Sequence, residues 1–200
     1  MKYTQIKNEI ILASKSRVRK EILEKNNINC KVIPSNLDEE PIKNSLIKEG
    51  ATPEMVSKNL AEIKAIKVSS LNENTIVLGA DSVIDFNNKI LSKPKNRDEA
   101  LEILKKLNGK HHHLISSVTI AKNGSMIWNY TDKATLTMKN FSDDELKSYL
   151  SKIPDNALYA YNVYQIEGEG RKLFSDIKGD EDTIMGLPIK QIKEYLKEVK

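Results

Sequence analysis

One apolar run limits the folds open to this chain more than any other feature. Residues 75–80 form its most apolar segment, and a lone carboxylate, Asp81, follows directly. Such a run predicts a buried strand, and an acid at the end of that strand is typical of the mouth of an α/β sheet that handles charged substrates. Gly79 would let another group approach the backbone just before the acid. The alternative is that Asp81 only begins a turn.

Length and composition predict one domain over residues 1–200. The chain is 39% hydrophobic and 30% charged, which provides enough apolar material for a core, and roughly 100–200 residues is the usual domain size. No apolar stretch approaches the ~20 residues of a membrane span, and the first residues lack the apolar block of a signal peptide. The single cysteine, Cys30, excludes an internal disulfide and is typical of a reducing cytoplasm. We therefore expect a cytoplasmic protein with no membrane partner.

The charge pattern argues against a nucleic-acid partner. The net charge is +4, from 32 basic and 28 acidic residues, and the two signs alternate along stretches such as 20–25. Alternation of this kind is typical of solvated helix faces, whereas a nucleic-acid binder gathers basic residues on one face. The chain has few arginines, which makes Arg17 and Arg19 near its start more informative, because the guanidinium fork suits phosphate oxygens.

The secondary-structure signals alternate between strands and helices. Predicted strands lie at 10–13 and 30–33, and predicted helices lie at about 17–26, after Thr52-Pro53, from Asn96, from Ser142 and after Pro188. In the middle, two β-rich runs at 114–121 and 125–138 are joined by Asn123-Gly124, a strong hairpin signal. These elements predict a single mixed α/β unit, in which two lobes around a cleft would accommodate them.

The turn after the first predicted strand has the features of an anion site. Ser14 and Ser16 supply hydroxyls, Arg19 lies in the first helical turn, and the amides at the start of a helix favour negative charge. The Gly-rich signature of a P-loop is absent. An ordinary strand-to-helix turn with a serine cap is the alternative.

Two lysines are further candidates for a charged cleft. Lys64 lies among small and apolar residues, next to Ile63 on the predicted core side of a helix. Its amine could therefore reach a cleft, although a solvated surface lysine is the commoner outcome. Lys93 precedes Pro94, which favours an extended backbone shortly after the Asp81 strand.

The histidine run at 111–113 suggests a metal site only at first sight. Adjacent residues of a strand point to opposite faces, and no cysteine or carboxylate stands at zinc-like spacing from the run. We expect His112 to hold a loop by hydrogen bonds instead.

Eight short elements, in order and with sensible gaps, resemble one family over essentially the whole chain. They are an LASxSxxR opening at 12–19, a VDE-like element at 37–39, a KA pair at 64–65, a GAD triplet at 79–81, an LGKP-like element at 91–94, an HxLxS strand from His112, a YQxEG element at 164–168 and an MGLP element at 185–188. On these elements the chain resembles the Maf family of nucleoside triphosphate pyrophosphatases.

The resemblance implies a fold, a reaction and a set of site residues. The family fold, similar to that of ITPases, is a twisted mixed β-sheet flanked by helices, with a central cleft between two lobes and often a homodimer. The reaction converts a nucleoside triphosphate to its monophosphate and pyrophosphate, which removes non-canonical or modified nucleotides, and it requires a divalent cation, Mg²⁺ or Mn²⁺. Asp81 matches the proposed proton acceptor, and the other matching cleft positions are Ser14, Arg19, Glu39, Lys64 and Lys93.

The chemistry of this reaction suits those residue types. Asp81 could take a proton from the attacking water, while the cationic side chains would stabilise the polyphosphate. Carboxylates suit a hard divalent ion, so Glu39, Glu167 or Asp81 itself could hold it. The sequence leaves open whether Asp81 is base, metal ligand or both.

Two departures from the family pattern concern the base of the substrate. The branch that acts on dTTP and UTP usually has threonine where Ser82 stands and an IQG element where residues 166–168 read IEG. Glu167 resembles the branch that prefers 7-methyl-GTP, which typically has glutamine at the position of Ser82, and its carboxylate could accept from guanine N–H groups. We therefore expect a broad or purine-tolerant enzyme in which Glu167 binds substrate, with a dTTP/UTP-specific enzyme as the alternative.

A different alternative is a nucleotide-binding regulator without turnover, because the family has been linked to septum formation and cell-division arrest. The intact set of Asp81, Lys64 and Lys93 argues against it.

Overall fold

The computed structural model describes residues 9–155, 158 and 163–198. The strands of this part of the chain are β1 Ile10–Leu12, β2 Cys30–Val32, β3 Val77–Phe86, β4 Lys89–Leu91, β5 His111–Lys122, β6 Ser125–Met138 and β7 Phe174–Lys178. Its helices are α1 Arg17–Lys25, α2 Glu39–Lys48, α3 Pro53–Ser69, α4 Arg97–Leu107, α5 Asp143–Ser151, α6 Glu181–Ile184 and α7 Ile189–Glu198, with a 3₁₀ turn at Glu169–Leu173.

The strands form one mixed sheet in the order β2-β1-β3-β5-β6-β7, and β4 pairs with β3. β1 runs parallel to β2 and β3, and the remaining pairs are antiparallel. This arrangement confirms the predicted mixed sheet with flanking helices. No helix of the described residues is both long and apolar enough to cross a membrane.

The predicted hairpin joins β5 to β6. Asn123 and Gly124 have φ angles of 51° and 75°, as a two-residue turn between antiparallel strands requires. Gly124 N donates to Ser69 Oγ at 3.0 Å, so the tip of the hairpin is fixed to the end of α3.

The sheet has a gap on one edge of β3. β1 pairs with β3 only as far as Leu78, and β4 joins the same strand again at Ile84. Among the described residues, no strand pairs with the intervening stretch 79–83 on this edge, whereas β5 pairs along the other edge. The gap leaves room for side chains to reach the middle of β3, where Asp81 lies.

Two large apolar clusters lie on either side of this point. One packs α4 and α5 against β5 and β6, and its Leu104 and Leu136 are completely buried. The other packs α1 and α7 against β1 and β3, and its Leu23 and Leu78 are completely buried. Two separate cores agree with the expected two lobes, and the gap in β3 lies where they meet.

The structure differs from the sequence-based expectation in two respects. Asp81 does not end its strand, because β3 continues to Phe86 while residues 81–85 pair with β5. The sequence also did not predict α2, β4 or β7. α2 has no buried residue and offers only the apolar pair Ile42 and Leu46 at helical spacing. β4 has only three residues, too few to show the apolar periodicity from which elements are inferred.

Candidate active site

Three charged side chains meet beside the gap in the sheet. The Lys64 ammonium lies 2.8 Å from Asp81 Oδ1 and 2.9 Å from Glu39 Oε1. The side chains of Lys64 and Asp81 expose only 8% and 9% of their surface, whereas that of Glu39 exposes 43%. One cation therefore holds two carboxylates, the first inside the protein and the second near solvent.

Gly79 explains why Lys64 reaches Asp81. A Cβ at position 79 would lie 2.3 Å from Ala61 O and 2.7 Å from Ala65 N, so only glycine lets α3 pack this closely on β3. The close packing turns Lys64 inward, and it is Lys64 that is buried while Ile63 is only partly so. Val56 and Leu60 are buried as predicted, and only the prediction that Ile63 faces the core was wrong.

Asp81 is a buried acid with one unused oxygen. Burial raises the pKa of Asp81, and the positive charges of Lys64 and Arg19 offset this effect only in part. Asp81 Oδ2 is buried without a hydrogen-bond partner in the described part of the chain. A carboxylate with a raised pKa and a free oxygen is a better proton acceptor at neutral pH than an ordinary aspartate.

Arg19 crosses from α1 to the gap and is held on several sides. Its guanidinium donates to four oxygens: Gly186 O at 2.9 Å from Nε, Ser14 Oγ at 3.2 Å and Ala80 O at 2.9 Å from Nη1, and Ser82 Oγ at 3.0 Å from Nη2. The serine turn predicted as an anion site therefore contributes Ser14 as a support for the cation. Burial lowers the pKa of Arg19, and the charges of Asp81 and Glu39 oppose that change.

Lys93 lies in the electrostatic field of the same cluster. The protein surrounding its ammonium group lowers the pKa of Lys93, and the positive charge of Arg19 lowers it further, against the opposing effect of Glu39 and Asp81. The residue as a whole keeps exposed surface. Lys93 is thus a cation at the solvent side of the site.

The structure brings together most of the residues singled out from the sequence. Ser14, Arg19, Glu39, Lys64 and Asp81 form the cluster, and Lys93 lies within range of their charges. Glu167 is different, because its side chain is exposed on a turn that follows residue 165.

The chain matches the family model described as "Maf-like protein" over residues 9–199. This chain belongs to the Maf family. It is 69% identical over 192 residues to the nucleoside triphosphate pyrophosphatase of Pelagibacter ubique (strain HTCC1062), and the aligned region covers 96% of this chain and 98% of that protein. It is also 37% identical over 188 residues to a protein of the same description from Paramagnetospirillum magneticum (strain ATCC 700264 / AMB-1), with 94% of this chain and 97% of that protein aligned. A 7-methyl-GTP pyrophosphatase of Brucella abortus biovar 1 (strain 9-941) is 36% identical over 181 residues, covering 90% and 91%.

His112 anchors the YQxEG element of this Maf chain. Its Nε2 lies 2.7 Å from Tyr164 Oη, and its ring also contacts Phe174. Burial lowers the pKa of His112 to about 4, so the imidazole is neutral at physiological pH. The expected loop-holding role agrees with these contacts, and the described residues contain no group of three or more metal-binding side chains.

The carboxylates of the Maf site fit a divalent cation only as a small ligand set. Glu39 and Asp81 already share one positive charge, and Asp81 Oδ2 is unpartnered among the described residues. Mg²⁺ usually takes one or two carboxylates and completes its shell with water and phosphate oxygens. These two residues would therefore suffice once a triphosphate is bound.

Sequence reasoning missed the supports around Arg19. Ser82 and Gly186 both accept hydrogen bonds from its guanidinium, and Ser57 Oγ donates to Asp81 O at 3.1 Å. Gly186 belongs to the MGLP element that marked the family resemblance, but its contact with Arg19 could not be predicted. The two residues are 167 positions apart, and only the fold brings them together.

Proposed function

We propose that this Maf protein hydrolyses nucleoside triphosphates to nucleoside monophosphates and pyrophosphate. The observation that carries the proposal is a buried carboxylate with a free oxygen, set among three cations at a gap in the sheet. A relative that is 69% identical and is described as a nucleoside triphosphate pyrophosphatase supports the same reaction.

Asp81 supplies the base for the attacking water. The water oxygen bonds to the α-phosphorus as the bond from that phosphorus to the bridging oxygen breaks, and pyrophosphate leaves with the electron pair. The proton of the water passes to Asp81, whose raised pKa makes it an effective acceptor. Because the base must be ionised, activity falls as the pH drops through this raised pKa.

The cations stabilise the charge that develops on the phosphoryl oxygens. Arg19 is held by four hydrogen bonds, and Lys64 is held by two carboxylates. Positive groups that are already in place need no reorganisation during the reaction. Lys93, nearer to solvent, is placed to meet the phosphates as they enter.

We assign Glu39 and Asp81 as the ligands of a divalent cation, Mg²⁺ or Mn²⁺. The ion would neutralise phosphate charge when bound. Lys64 then keeps both carboxylates oriented, since it contacts an oxygen of each. A carboxylate would have to leave Lys64 only if the ion bound the same oxygen that contacts the Lys64 ammonium.

Glu167 is the residue that we assign to recognition of the base. Its side chain is exposed on the turn that follows residue 165, which makes it available to a ligand. A carboxylate accepts hydrogen bonds from the N1–H and N2–H₂ groups of guanine, and a relative is described as a 7-methyl-GTP pyrophosphatase. A purine-tolerant specificity follows.

A panel of canonical and methylated nucleoside triphosphates tests the proposal. We expect pyrophosphate release with Mg²⁺ or Mn²⁺, faster for guanine nucleotides than for dTTP and UTP, and a loss of this preference in Glu167→Gln. Absence of pyrophosphate release with every nucleotide and both ions would refute the enzymatic function. An unchanged preference in Glu167→Gln would refute only the assignment of Glu167.

A further inference from the structure

A chain of hydroxyl groups runs from Arg19 into the interior on the side of β3 opposite to Asp81. Arg19 Nη2 lies 3.0 Å from Ser82 Oγ, and Ser82 Oγ lies 2.8 Å from Ser116 Oγ. Ser116 Oγ in turn donates to Thr183 O at 2.7 Å. Ser82 and Ser116 are paired residues of β3 and β5, so their side chains share one face of the sheet.

The direction of every hydrogen bond in this chain is fixed. A carbonyl oxygen only accepts, so the single proton of the Ser116 hydroxyl is committed to Thr183 O. Ser82 must then donate its proton to Ser116, and its oxygen must accept from Arg19. Each hydroxyl donates once and accepts once, and neither can reverse without leaving a buried group unpaired.

The far end of the chain is also fixed. Thr183 is completely buried, and its hydroxyl donates to Asp132 Oδ2 at 2.6 Å. Asp132 is the β6 partner of Ser116. α6 is therefore held on the sheet through both the carbonyl and the hydroxyl of Thr183, and the turn that follows α6 supplies Gly186 O to Arg19 Nε.

These contacts leave Arg19 little freedom. A guanidinium group has five N–H bonds, and four of them are donated to oxygens of the described residues. One N–H on Nη2 has no partner among those residues. Arg19 can therefore offer a phosphate its charge and one hydrogen bond, in a fixed orientation, instead of a bidentate fork.

We propose that Ser116 is a positioning residue for Arg19: its hydroxyl joins Ser82 to the α6 segment and so holds the guanidinium at the substrate phosphates. This role rests on the proposed function. Ser116 has no exposed surface and lies behind Ser82, so it acts through Arg19 without touching substrate. Buried hydrogen-bond networks of this kind hold a group rigidly only when every member is paired.

Ser116→Ala breaks the chain at its centre. We expect kcat/KM for triphosphates to fall about 10- to 100-fold, the loss typical of a misplaced catalytic group.

Ser69→Ala is the matched control. Ser69 is equally buried, and its hydroxyl also donates once, to Ile66 O, and accepts once, from Gly124 N. It lies at the hairpin end of α3, so its loss should lower the melting temperature by a similar amount without changing kcat/KM. Ser116→Thr, which keeps a hydroxyl, should restore most of the activity.

A measurement independent of turnover completes the test. The Nε–H of Arg19 is bonded to Gly186 O in the protein, and its hydrogen exchange can be followed by NMR among only four arginines. We expect slow exchange in the wild type and in Ser69→Ala, and exchange at least about tenfold faster in Ser116→Ala, since breaking the network frees the guanidinium to move. Should Ser116→Ala not fold, Ser82→Ala breaks the same chain one step closer to Arg19 and should give the same result.

The outcomes separate the two proposals. Wild-type exchange of the Arg19 Nε–H in a folded Ser116→Ala or Ser82→Ala variant would overturn the role of Ser116. A wild-type protein that releases no pyrophosphate would overturn the proposed function, while the exchange measurement would still decide whether Ser116 positions Arg19.

Discussion

Gly79→Ala should separate the packing of α3 from the chemistry of the site. The added Cβ would lie 2.3 Å from Ala61 O and 2.7 Å from Ala65 N. Both atoms belong to the helix backbone, so neither can rotate away as a side chain would. Ordinary contacts begin at 3.4 Å, so α3 must move away from β3 by about 1 Å to restore normal separation.

A shift of this size has two measurable consequences. Overpacking of a core typically costs about 1–3 kcal/mol of stability, which urea unfolding would detect. The Lys64–Asp81 contact of 2.8 Å would lengthen by a similar distance, and misplacement by 1 Å can lower the rate about 100-fold. We therefore expect kcat/KM for pyrophosphate release to fall together with the free energy of unfolding.

Gly124→Ala is the control for the loss of stability alone. Gly124 has a φ of 75° in the hairpin turn, and its Cβ would lie 3.4 Å from the nearest atom, so the substitution costs about 1–2 kcal/mol through backbone strain. Its kcat/KM should remain that of the wild type. If Gly79→Ala loses stability and keeps full activity, the close approach of α3 does not position Lys64 for catalysis.

Three further perturbations follow from the site and its supports. Asp81→Asn should keep the fold by circular dichroism and lower turnover at least about 100-fold, as loss of an acid–base group does; near-normal turnover would contradict its role. Lys93→Ala should weaken binding of a non-hydrolysable triphosphate more than that of the monophosphate by calorimetry, whereas equal effects would make Lys93 structural. Since burial lowers the pKa of His112 from 6.5 to about 4, the unfolded state binds more protons between these values. Stability should therefore fall as the pH drops from 6.5 to 4, by at most about 3 kcal/mol, and a His112→Phe variant should show a shallower dependence in thermal unfolding.

Local signals in the sequence were sufficient for part of the fold. The Asn123-Gly124 turn specified its hairpin because both residues tolerate positive φ. Ser142 and Glu145 specified the start of α5, where they form a capping box. Each of these features depends on a few neighbouring residues, which is why their patterns were readable without the tertiary structure.

The site was predictable as a list of residues but not as an arrangement. The resemblance to the Maf family identified Asp81, Lys64 and Arg19 as site residues. The apolar pattern along α3 nevertheless favoured Ile63 over Lys64 as the residue that faces the core. The serine turn was expected to offer hydroxyls to an anion, and the support that Ser14 also gives to Arg19 was not visible in the sequence. The helix α2, which carries Glu39 to Lys64, has no buried residue and was not predicted.

The sequence by itself determined the apolar run of β3, the glycine before its acid and the helix ends, because these depend on side-chain size and backbone freedom at single positions. Only the tertiary structure decided that β1 ends at Leu12, opposite Leu78, while β3 continues past Asp81. That mismatch in strand length opens the gap through which Lys64 and Arg19 reach the acid, from positions 17 and 62 residues away in the chain. The charges of the site are thus fixed by strand pairing and helix packing, which depend on the whole chain at once.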